Sequence, residues 1–231
     1  LNDSAVALAS FLAGAGVEPG DRVAAWMPNV PETIVAMIAT SLLGATFTST
    51  SPDFGVAGVL DRFGQVEPKV LIAADGYVYA NKQHSRLELL AEVVAGLPTL
   101  EAVIVHGELG AAPNLTGVRE VNGAIPVLDF EQAIGVGRLA VSQGRGIDPH
   151  RLYRFDQPLY ILYSSGTTGV PKCIVHQAGG LLLKHVVEQQ LHCDIRPGDR
   201  VFYFTTCGWM MWNWLASALA SGATIVLYDG S

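Results

Sequence analysis

The sequence has 231 residues, 50% of them hydrophobic and 15% charged, with a formal net charge of −7 and a pI near 5.3. This composition excludes a disordered chain, and an acidic balance without a basic stripe argues against a nucleic-acid-binding surface. No stretch reaches the roughly 18 apolar residues that a membrane span needs. We therefore expect a globular protein of one large domain or two small ones, with no membrane span and no nucleic-acid partner.

The first 106 residues alternate between helix and strand patterns. Apolar periodicity and turn residues predict helices at 3–14, 31–43, 56–65 and 86–97, and strands at 22–26, 45–49, 69–73 and 102–106. Strands that alternate with helices are typical of a mostly parallel sheet covered on both faces. The predicted fold class is therefore α/β.

The rest of the chain is less regular. Residues 107–158 are rich in Gly, Pro and polar residues, which predicts a long irregular connector with one short helix near 130–134. Beyond it we expect strands at 159–163 and 173–176, a helix at 181–191 and another helix from Trp209 onward. We thus divide the chain into a first α/β portion at 1–106, a connector at 107–158 and a second portion at 159–231.

A short repeat links the two portions. Residues 17–23 (VEPGDRV) are echoed by 195–201 (IRPGDRV), and the Gly-Ala-Thr at 44–46 recurs at 222–224 after an equal interval. Pro-Gly-Asp alone is a common turn. Equal spacing of two markers favours a real duplication, so we expect two related βαβ units with residues 159–176 lying between them.

Three cysteines, Cys173, Cys193 and Cys207, are odd in number and lack metal-ligand spacing. They are typical of unpaired thiols in a reducing compartment, so we expect a cytoplasmic protein. No cluster of His, Cys and carboxylates has the spacing of a metal site, and no metal ligand is predicted.

Residues 164–172 (SSGTTGVPK) form the most informative stretch, a loop of small polar residues between two apolar strands. Gly166 and Gly169 permit positive φ and close approach of a ligand. Lys172 adds a mobile positive charge. Further hydrogen-bond donors are the hydroxyls of Ser164, Ser165, Thr167 and Thr168. Such a loop suits a polyphosphate.

Two other interpretations of this loop compete with a phosphate-binding role. A surface hairpin rich in turn residues is the simpler one. The other is the nucleotide-binding loop G-x-x-x-x-G-K-[ST], which the sequence does not fit, because Gly166 and Gly169 are too close, Pro171 precedes the Lys and a strand follows.

A second stretch, 205–215 (TTCGWMMWNWL), predicts a helix crowded with large apolar side chains. It contains one amide, Asn213, which needs a partner if it is buried. Such a helix is either a core element or the wall of a pocket for a small acyl group, and the residues alone leave both open.

The loop 164–172 resembles the phosphate loop of the adenylate-forming superfamily, which includes acyl-CoA synthetases, luciferases and peptide-synthetase adenylation domains. Within this superfamily, five stretches resemble the acetoacetyl-CoA synthetase branch. They are 51–55 (SPDFG), 58–63 (GVLDRF), 171–176 (PKCIVH), 208–214 (GWMMWNW) and 226–231 (VLYDGS).

The resemblance implies part of a large N-terminal domain with two related layered βαβ subdomains, and a two-step reaction. Acetoacetate attacks the α-phosphorus of ATP, with Mg²⁺, to give acetoacetyl-AMP and pyrophosphate, and CoA then displaces AMP. Lys172 and Thr168 are the implied catalytic residues. ATP phosphates would bind to Ser164, Ser165, Gly166, Thr167, Thr168, Gly169 and Lys172. The acyl pocket would be lined by Trp209, Met211 and Asn213.

Other motifs of the superfamily do not occur in this sequence: an aromatic-Gly-x-Thr-Glu segment, a ribose-binding Asp and the Lys of a small C-terminal domain. We therefore expect the chain to be a part of the N-terminal domain that is inactive alone, with the C-terminal domain absent. The alternatives are another short-chain ligase, for acetate or propionate, and a nucleotide-binding fragment without catalysis.

Overall fold

The computed structural model describes residues 1–110, 112–121, 125–164 and 169–230. Its helices are α1 Asn2–Gly14, α2 Pro31–Leu42, α3 Val56–Val66, α4 Leu87–Ala95, α5 Thr116–Val121, α6 Phe130–Ser142, α7 Ala178–Val186 and α8 Met210–Ser217. Its strands are β1 Arg22–Trp26, β2 Thr46–Thr50, β3 Val70–Ala74, β4 Gly76–Tyr79, β5 Lys82–Ser85, β6 Ala102–His106, β7 Val127–Asp129, β8 Pro158–Tyr163, β9 Cys173–Gln177, β10 Arg200–Phe202 and β11 Thr224–Val226.

A seven-stranded sheet in the order β7-β6-β3-β1-β2-β8-β9 organises the chain. Its neighbouring strands pair in parallel as far as β8, and the edge strand β9 runs antiparallel to β8. The prediction of a mostly parallel α/β sheet is confirmed.

Helices cover both faces of this sheet. Alternate residues of β1 point to opposite sides, so that Val23 and Ala25 join one apolar cluster while Ala24 and Trp26 join another. Side chains of α1, α2 and α6 fill the first cluster, and those of α3, α4 and α5 fill the second. Strands buried on both faces explain why β1, β2 and β3 are almost wholly apolar or β-branched.

Residues 107–158 are more regular than predicted, since they contain α5, β7 and the 13-residue helix α6. Asp129 caps α6 by accepting from the backbone N–H groups of Glu131 and Gln132. Gly137 packs against α1 so closely that a Cβ there would lie 1.8 Å from the carbonyl oxygen of Ala7. The glycines suggested a loop, but here a glycine allows two helices to approach each other.

The internal repeat is confirmed by matching strand pairs. Parallel pairing joins β1 to β2 with Arg22 opposite Thr46, and it joins β10 to β11 with Arg200 opposite Thr224. In each copy the carbonyl of the aspartate that precedes the first strand accepts from the backbone N–H of the threonine that opens the second. These 2.7 Å bonds are Asp21–Thr46 and Asp199–Thr224.

The turns of the two copies also match. The N–H of Gly20 donates to the carbonyl of Gly44 at 3.1 Å, and that of Gly198 donates to the carbonyl of Gly222 at 2.9 Å. Gly44 and Gly222 adopt left-handed φ values of 68° and 73°, a conformation that glycine adopts at no steric cost. The two βαβ units are therefore built on the same turn chemistry.

A short hairpin, β4–β5, was not predicted, and it adds a small antiparallel ribbon after β3. None of the three cysteines, all within the described residues, forms a disulfide. Among the helices that the structure describes, none is long and apolar enough to cross a membrane.

Candidate functional site

The carboxyl ends of β1, β2 and β8 lie side by side, because these strands are parallel neighbours in the sheet. The helices that follow β1 and β2 leave toward opposite faces, α2 into the first apolar cluster and α3 into the second. In open α/β sheets ligands bind in the crevice that such a divergence opens at the carboxyl edge. Both informative stretches of the sequence meet this edge.

The candidate phosphate loop begins at the carboxyl end of β8. Its two ends are joined by paired hydrogen bonds, since the N–H of Ser164 donates to the carbonyl of Lys172 at 3.0 Å and the N–H of Lys172 donates to Ser164 Oγ at 3.1 Å. Gly169 has a φ of 88°, and the Lys172 side chain is exposed. Ser165, Gly166, Thr167 and Thr168 lie outside the described residues, so only the base of the loop is described.

Helix α3 contacts both ends of this loop. Gln65 Nε2 donates to the carbonyl of Pro171 at 2.9 Å, just before Lys172. One turn earlier, the Arg62 guanidinium lies 4.4 Å from the ring centre of Phe54 and 5.8 Å from that of Tyr163, the last residue of β8. Sequence reasoning missed these contacts, because an exposed glutamine on a helix carries no signal of a partner 106 residues away.

Tyr163 is fixed from the opposite side by β2. Its hydroxyl lies 2.8 Å from Thr48 Oγ1, which also bonds to the carbonyl of Ile161 at 3.0 Å. Burial raises the pKa of the Tyr163 phenol above its ordinary value. The strand end that opens the loop is therefore held as a neutral, hydrogen-bonded tyrosine.

The segment before α8 docks on the ends of β1 and β2. Ser49 Oγ donates to the carbonyl of Cys207 at 2.7 Å, and the Cys207 thiol donates to the carbonyl of Pro28 at 3.1 Å. A Cβ on Gly208 would lie 3.5 Å from the backbone nitrogen of Ser51, which shows how closely this segment approaches β2. The beginning of α8 thus lies at the end of the strand that neighbours β8.

Asn29 holds the same segment from the β1 side, a role that the sequence did not reveal. Trp212 Nε1 donates to Asn29 Oδ1 at 2.8 Å. The Asn29 amide in turn donates to the carbonyl of Tyr228 at 3.2 Å and to that of Thr205 at 3.4 Å. One buried side chain therefore ties together three parts of the second portion of the chain.

The aromatic helix divides into an exposed start and a buried body. Trp209 is 59% exposed and Met210 is 50% exposed, while Met211 is half-buried. Trp212 is buried and packs on Phe47, with ring centres 6.2 Å apart. The helix is thus a core element at Trp212 and an open wall at Trp209 and Met210.

Asn213 is 2% exposed, and neither its Nδ2 nor its Oδ1 has a hydrogen-bond partner in the described part of the chain. The hydroxyl of Thr50, the last residue of β2, is also buried without a described partner, and it would lie 3.7 Å from a Cβ on Gly208. Leaving a buried polar group unpaired costs roughly 1–3 kcal/mol. Such groups are unusual in native proteins and are candidates for a functional role.

A buried polar network joins α8 to α7 and to the π-helical turn at Val187–His192. Gln189 Nε2 donates to the carbonyl of Trp214 at 2.8 Å and to Ser217 Oγ at 2.9 Å. The Ser217 hydroxyl donates to the carbonyl of Trp214 at 2.7 Å, so the hydrogen between Ser217 Oγ and His185 Nδ1, 2.8 Å apart, belongs to the histidine. Burial lowers the pKa of His185.

Carboxylates gather at the carboxyl ends of β3 and β6. Burial lowers the pKa of His106, but Glu108 at 3.1 Å, Glu32 at 3.9 Å and Asp75 outweigh this effect and raise it. Burial raises the pKa of Asp75, whose carboxylate accepts from the N–H of Glu108 at 2.8 Å. Within the described ranges, no group of three or more His, Cys, Asp and Glu side chains is arranged to hold a metal ion.

Comparison with known proteins gives concordant matches. A family model described as AMP-binding enzyme matches residues 1–231. The acetoacetyl-coenzyme A synthetase of Rhizobium meliloti (strain 1021) is 50% identical over 97% of this chain and 32% of its own length. The malonamoyl-CoA synthetase vrtB of Penicillium aethiopicum is 44% identical over 93% of this chain and 29% of its own length.

The solved structure of acetoacetyl-CoA synthetase from Streptomyces lividans superposes with a TM-score of 0.87 and 46% identity, covering 99% of this chain and 33% of that one. The chain therefore spans about a third of the length of the relatives that it matches.

Proposed function

Since the chain belongs to the AMP-binding enzyme family, we propose that the protein ligates acetoacetate to CoA at the expense of ATP. The reaction passes through acetoacetyl-AMP and releases AMP and pyrophosphate. Its partners are these small molecules rather than nucleic acid. The observation that carries the proposal is the 50% identity to an acetoacetyl-CoA synthetase over 97% of the chain.

In the first step, a carboxylate oxygen of acetoacetate attacks the α-phosphorus of ATP, and the bond to the β,γ-pyrophosphate breaks. Negative charge grows on the leaving pyrophosphate. Lys172, at the closing end of the loop, and Thr168 within it are the proposed catalytic residues. ATP phosphates are proposed to contact Ser164, Ser165, Gly166, Thr167, Thr168, Gly169 and Lys172. The crevice at the carboxyl ends of β2 and β8 supports this placement, because ligands of open α/β sheets bind at the carboxyl ends of the strands.

The beginning of α8 is proposed to line the acyl pocket through Trp209, Met211 and Asn213. Support comes from the exposed start of the helix beside the end of β2 and from the amide of Asn213, which has no hydrogen-bond partner among the described residues. Acetoacetyl and malonamoyl groups both carry a second carbonyl at the β position. An amide N–H can donate to such an oxygen, so the substrate class is a short acid with a β-carbonyl.

In the second step, the thiolate of CoA attacks the acyl carbonyl carbon of acetoacetyl-AMP. A carbon–sulfur bond forms, the bond to the AMP phosphate breaks, and AMP leaves with the electron pair. ATP is proposed to enter as its magnesium complex, and no described side chain is assigned to the ion. Three unpaired thiols support a place for the protein in the reducing cytoplasm.

The test is acid-dependent exchange of pyrophosphate into ATP together with thioester formation, measured on the full-length protein with acetoacetate, malonamate, acetate, propionate and butyrate. Acetoacetate is expected to give the highest kcat/KM. A higher kcat/KM for acetate or propionate would identify the protein as another short-chain ligase. ATP binding without exchange for any acid would favour a nucleotide-binding module without catalysis.

A further inference from the structure

At the closing end of the candidate phosphate loop, helix α3 contacts a peptide group whose two polar atoms are both hydrogen-bonded. The carbonyl oxygen of Pro171 accepts from Gln65 Nε2 at 2.9 Å, and the N–H of Lys172, on the other side of the same peptide bond, donates to Ser164 Oγ at 3.1 Å. A peptide group is planar, so bonds to both of its polar atoms fix the orientation of the plane. The direction in which Lys172 leaves the backbone is thereby set.

The Gln65 amide is itself held in place. Its second N–H donates to the carbonyl of Asp61 one turn earlier in α3, so both donors of the amide are used. Arg62, on the neighbouring turn of the same helix, lies against Phe54 and Tyr163. Helix α3 therefore braces the residue before the loop and the peptide that closes it.

The orientation of this peptide matters for Lys172 because its side chain is exposed and flexible. A lysine has four rotatable side-chain bonds, and its ammonium group acts as a point charge whose position is decided partly by where the backbone directs it. Pro171 fixes its own φ, but a fixed φ does not by itself orient the plane of the Pro171–Lys172 peptide. Gln65 and Ser164 supply that orientation.

We propose that Gln65 is a positioning residue for ATP, acting through the Pro171–Lys172 peptide to direct Lys172 toward the phosphates. The inference rests on the proposed function for the role of Lys172. It adds a residue from outside the loop, on the helix that joins β2 to β3. Gln65 touches no reacting atom, so its effect passes entirely through Lys172.

The test replaces Gln65 by Met, whose side chain has a similar volume and no N–H group. The dissociation constant of ATP, measured on the full-length protein by calorimetry with magnesium and without any acid, is expected to rise about three- to tenfold, the equivalent of one hydrogen bond. Gln83→Met is the matched control, because Gln83 is exposed on β5 and makes no side-chain hydrogen bond in the described part of the chain. The control should bind ATP as the wild type does, and both variants should keep a cooperative thermal unfolding transition.

A double-mutant cycle separates positioning from a general structural role. If Gln65 acts through Lys172, Gln65→Met should cause no further loss in a Lys172→Ala background, whereas independent effects would add. Wild-type affinity for ATP in Gln65→Met, or an additive loss in the double variant, would overturn the proposal. Because ATP binding is measured without an acid, a failure of the proposed acetoacetate specificity would leave this readout intact.

Discussion

Lys172 is the exposed residue that closes the candidate phosphate loop, and its backbone is joined to Ser164 on both sides. If its ammonium group stabilises charge on leaving pyrophosphate, Lys172→Ala in the full-length protein should slow acetoacetate-dependent pyrophosphate exchange by a factor on the order of 10²–10³. The thermal midpoint should not change, because the side chain is exposed. Lys82→Ala, an exposed lysine on β5, is the matched control. Near-normal exchange in Lys172→Ala would mean that backbone groups alone carry the role of the loop.

Asn213 is buried with an amide that has no described partner, so its replacement should separate stability from function. Asn213→Leu removes an unpaired polar group and should raise the free energy of unfolding, by up to about 1–3 kcal/mol. The ratio of kcat/KM for acetoacetate over butyrate should fall, because butyrate offers no β-carbonyl oxygen and a hydrogen-bonding site rejects the analogue that leaves it unpaired. Pyrophosphate exchange with each acid measures this ratio.

The outcome that contradicts a substrate role for Asn213 is an unchanged ratio together with lower stability. That result would show that the amide ties α8 to its neighbours.

At the scale of single residues, the sequence predicts local chemistry and misses distant partners. Residues 164–172 are recognisable as a candidate phosphate loop because glycines, hydroxyl side chains and a lysine are close together in the sequence. The partners of that region do not, since Gln65 and Pro171 are 106 positions apart and Trp212 and Asn29 are 183 apart. Only the folded arrangement brings such pairs together.

At the scale of elements, the two repeated Gly-Ala-Thr turns contain glycines with the same backbone conformation but different neighbouring side chains. Gly44 and Gly222 have nearly equal left-handed φ values, so alanine at either should cost about 1–2 kcal/mol in backbone strain. At Gly44 the new Cβ would also lie 2.3 Å from the Tyr153 ring, whose hydroxyl donates to the carbonyl of Leu42, whereas at Gly222 it meets Pro197 at 3.1 Å.

We therefore expect Gly44→Ala to destabilise the protein more than Gly222→Ala, by at least about 1 kcal/mol, the value of one hydrogen bond. Urea unfolding of the two variants measures the difference. Equal losses would show that Tyr153 moves aside freely.

The interface between α7 and α8 should make stability depend on pH through His185. Burial lowers the folded pKa of His185 below its unfolded value of about 6.5, so the unfolded chain binds the proton more tightly. Stability contributed by neutral His185 is then fully present above that value and is lost as the pH falls through the folded pKa. His185→Gln has no titrating group and should lack this loss.

The measurement for His185 is the free energy of unfolding of both proteins between pH 8 and 5. The advantage of the wild type should shrink with falling pH by at most about 1.4 kcal/mol per unit. His106, whose pKa is raised, acts in the opposite sense but is common to both proteins and cancels. A difference that does not vary with pH would contradict the assignment.

Elements with a clear period were predictable, and elements that depend on packing were not. The helices and strands of residues 1–106 follow their apolar patterns closely. The glycines of helix α6 are typical of a loop in the sequence. In the structure, Gly137 packs against the backbone of α1, where a side chain would not fit. The hairpin β4–β5 turns through Ala80 and Asn81 at positive φ, which no strong turn motif announces.

At the scale of the whole molecule, the two repeated units differ in the number of strands that pair with their first strand. In the first unit β1 has strands on both sides, β2 and β3, and helices on both faces. In the second unit β10 pairs only with β11 within the part of the chain that the structure describes. Parallel topology was predictable from the alternation of elements, whereas this difference between the units was visible only in the strand pairing.

The second portion of the chain, 159–231, also exposes large apolar side chains. Leu183, Leu191, Phe202 and Phe204 each have more than half of their area accessible, at 59%, 76%, 54% and 66%. A two-stranded sheet is marginal by itself and needs further strands or a packed helix. The described part of this portion therefore exposes a large apolar surface, and residues 1–231 match 32% of the length of the Rhizobium meliloti protein.

We accordingly expect a polypeptide restricted to residues 1–231 to form no acetoacetyl-CoA and to self-associate through the exposed side chains of its second portion. Thioester formation and light scattering are the measurements. The full-length acetoacetyl-CoA synthetase of Rhizobium meliloti serves as the positive control, and the segment of that protein that matches residues 1–231 is the matched truncation. Both short polypeptides should be inactive while the full-length enzyme turns over. Thioester formation by residues 1–231 would show that the crevice at the ends of β2 and β8 suffices for both steps, and that the elements supplying the adenine, ribose and C-terminal lysine contacts in the family are dispensable.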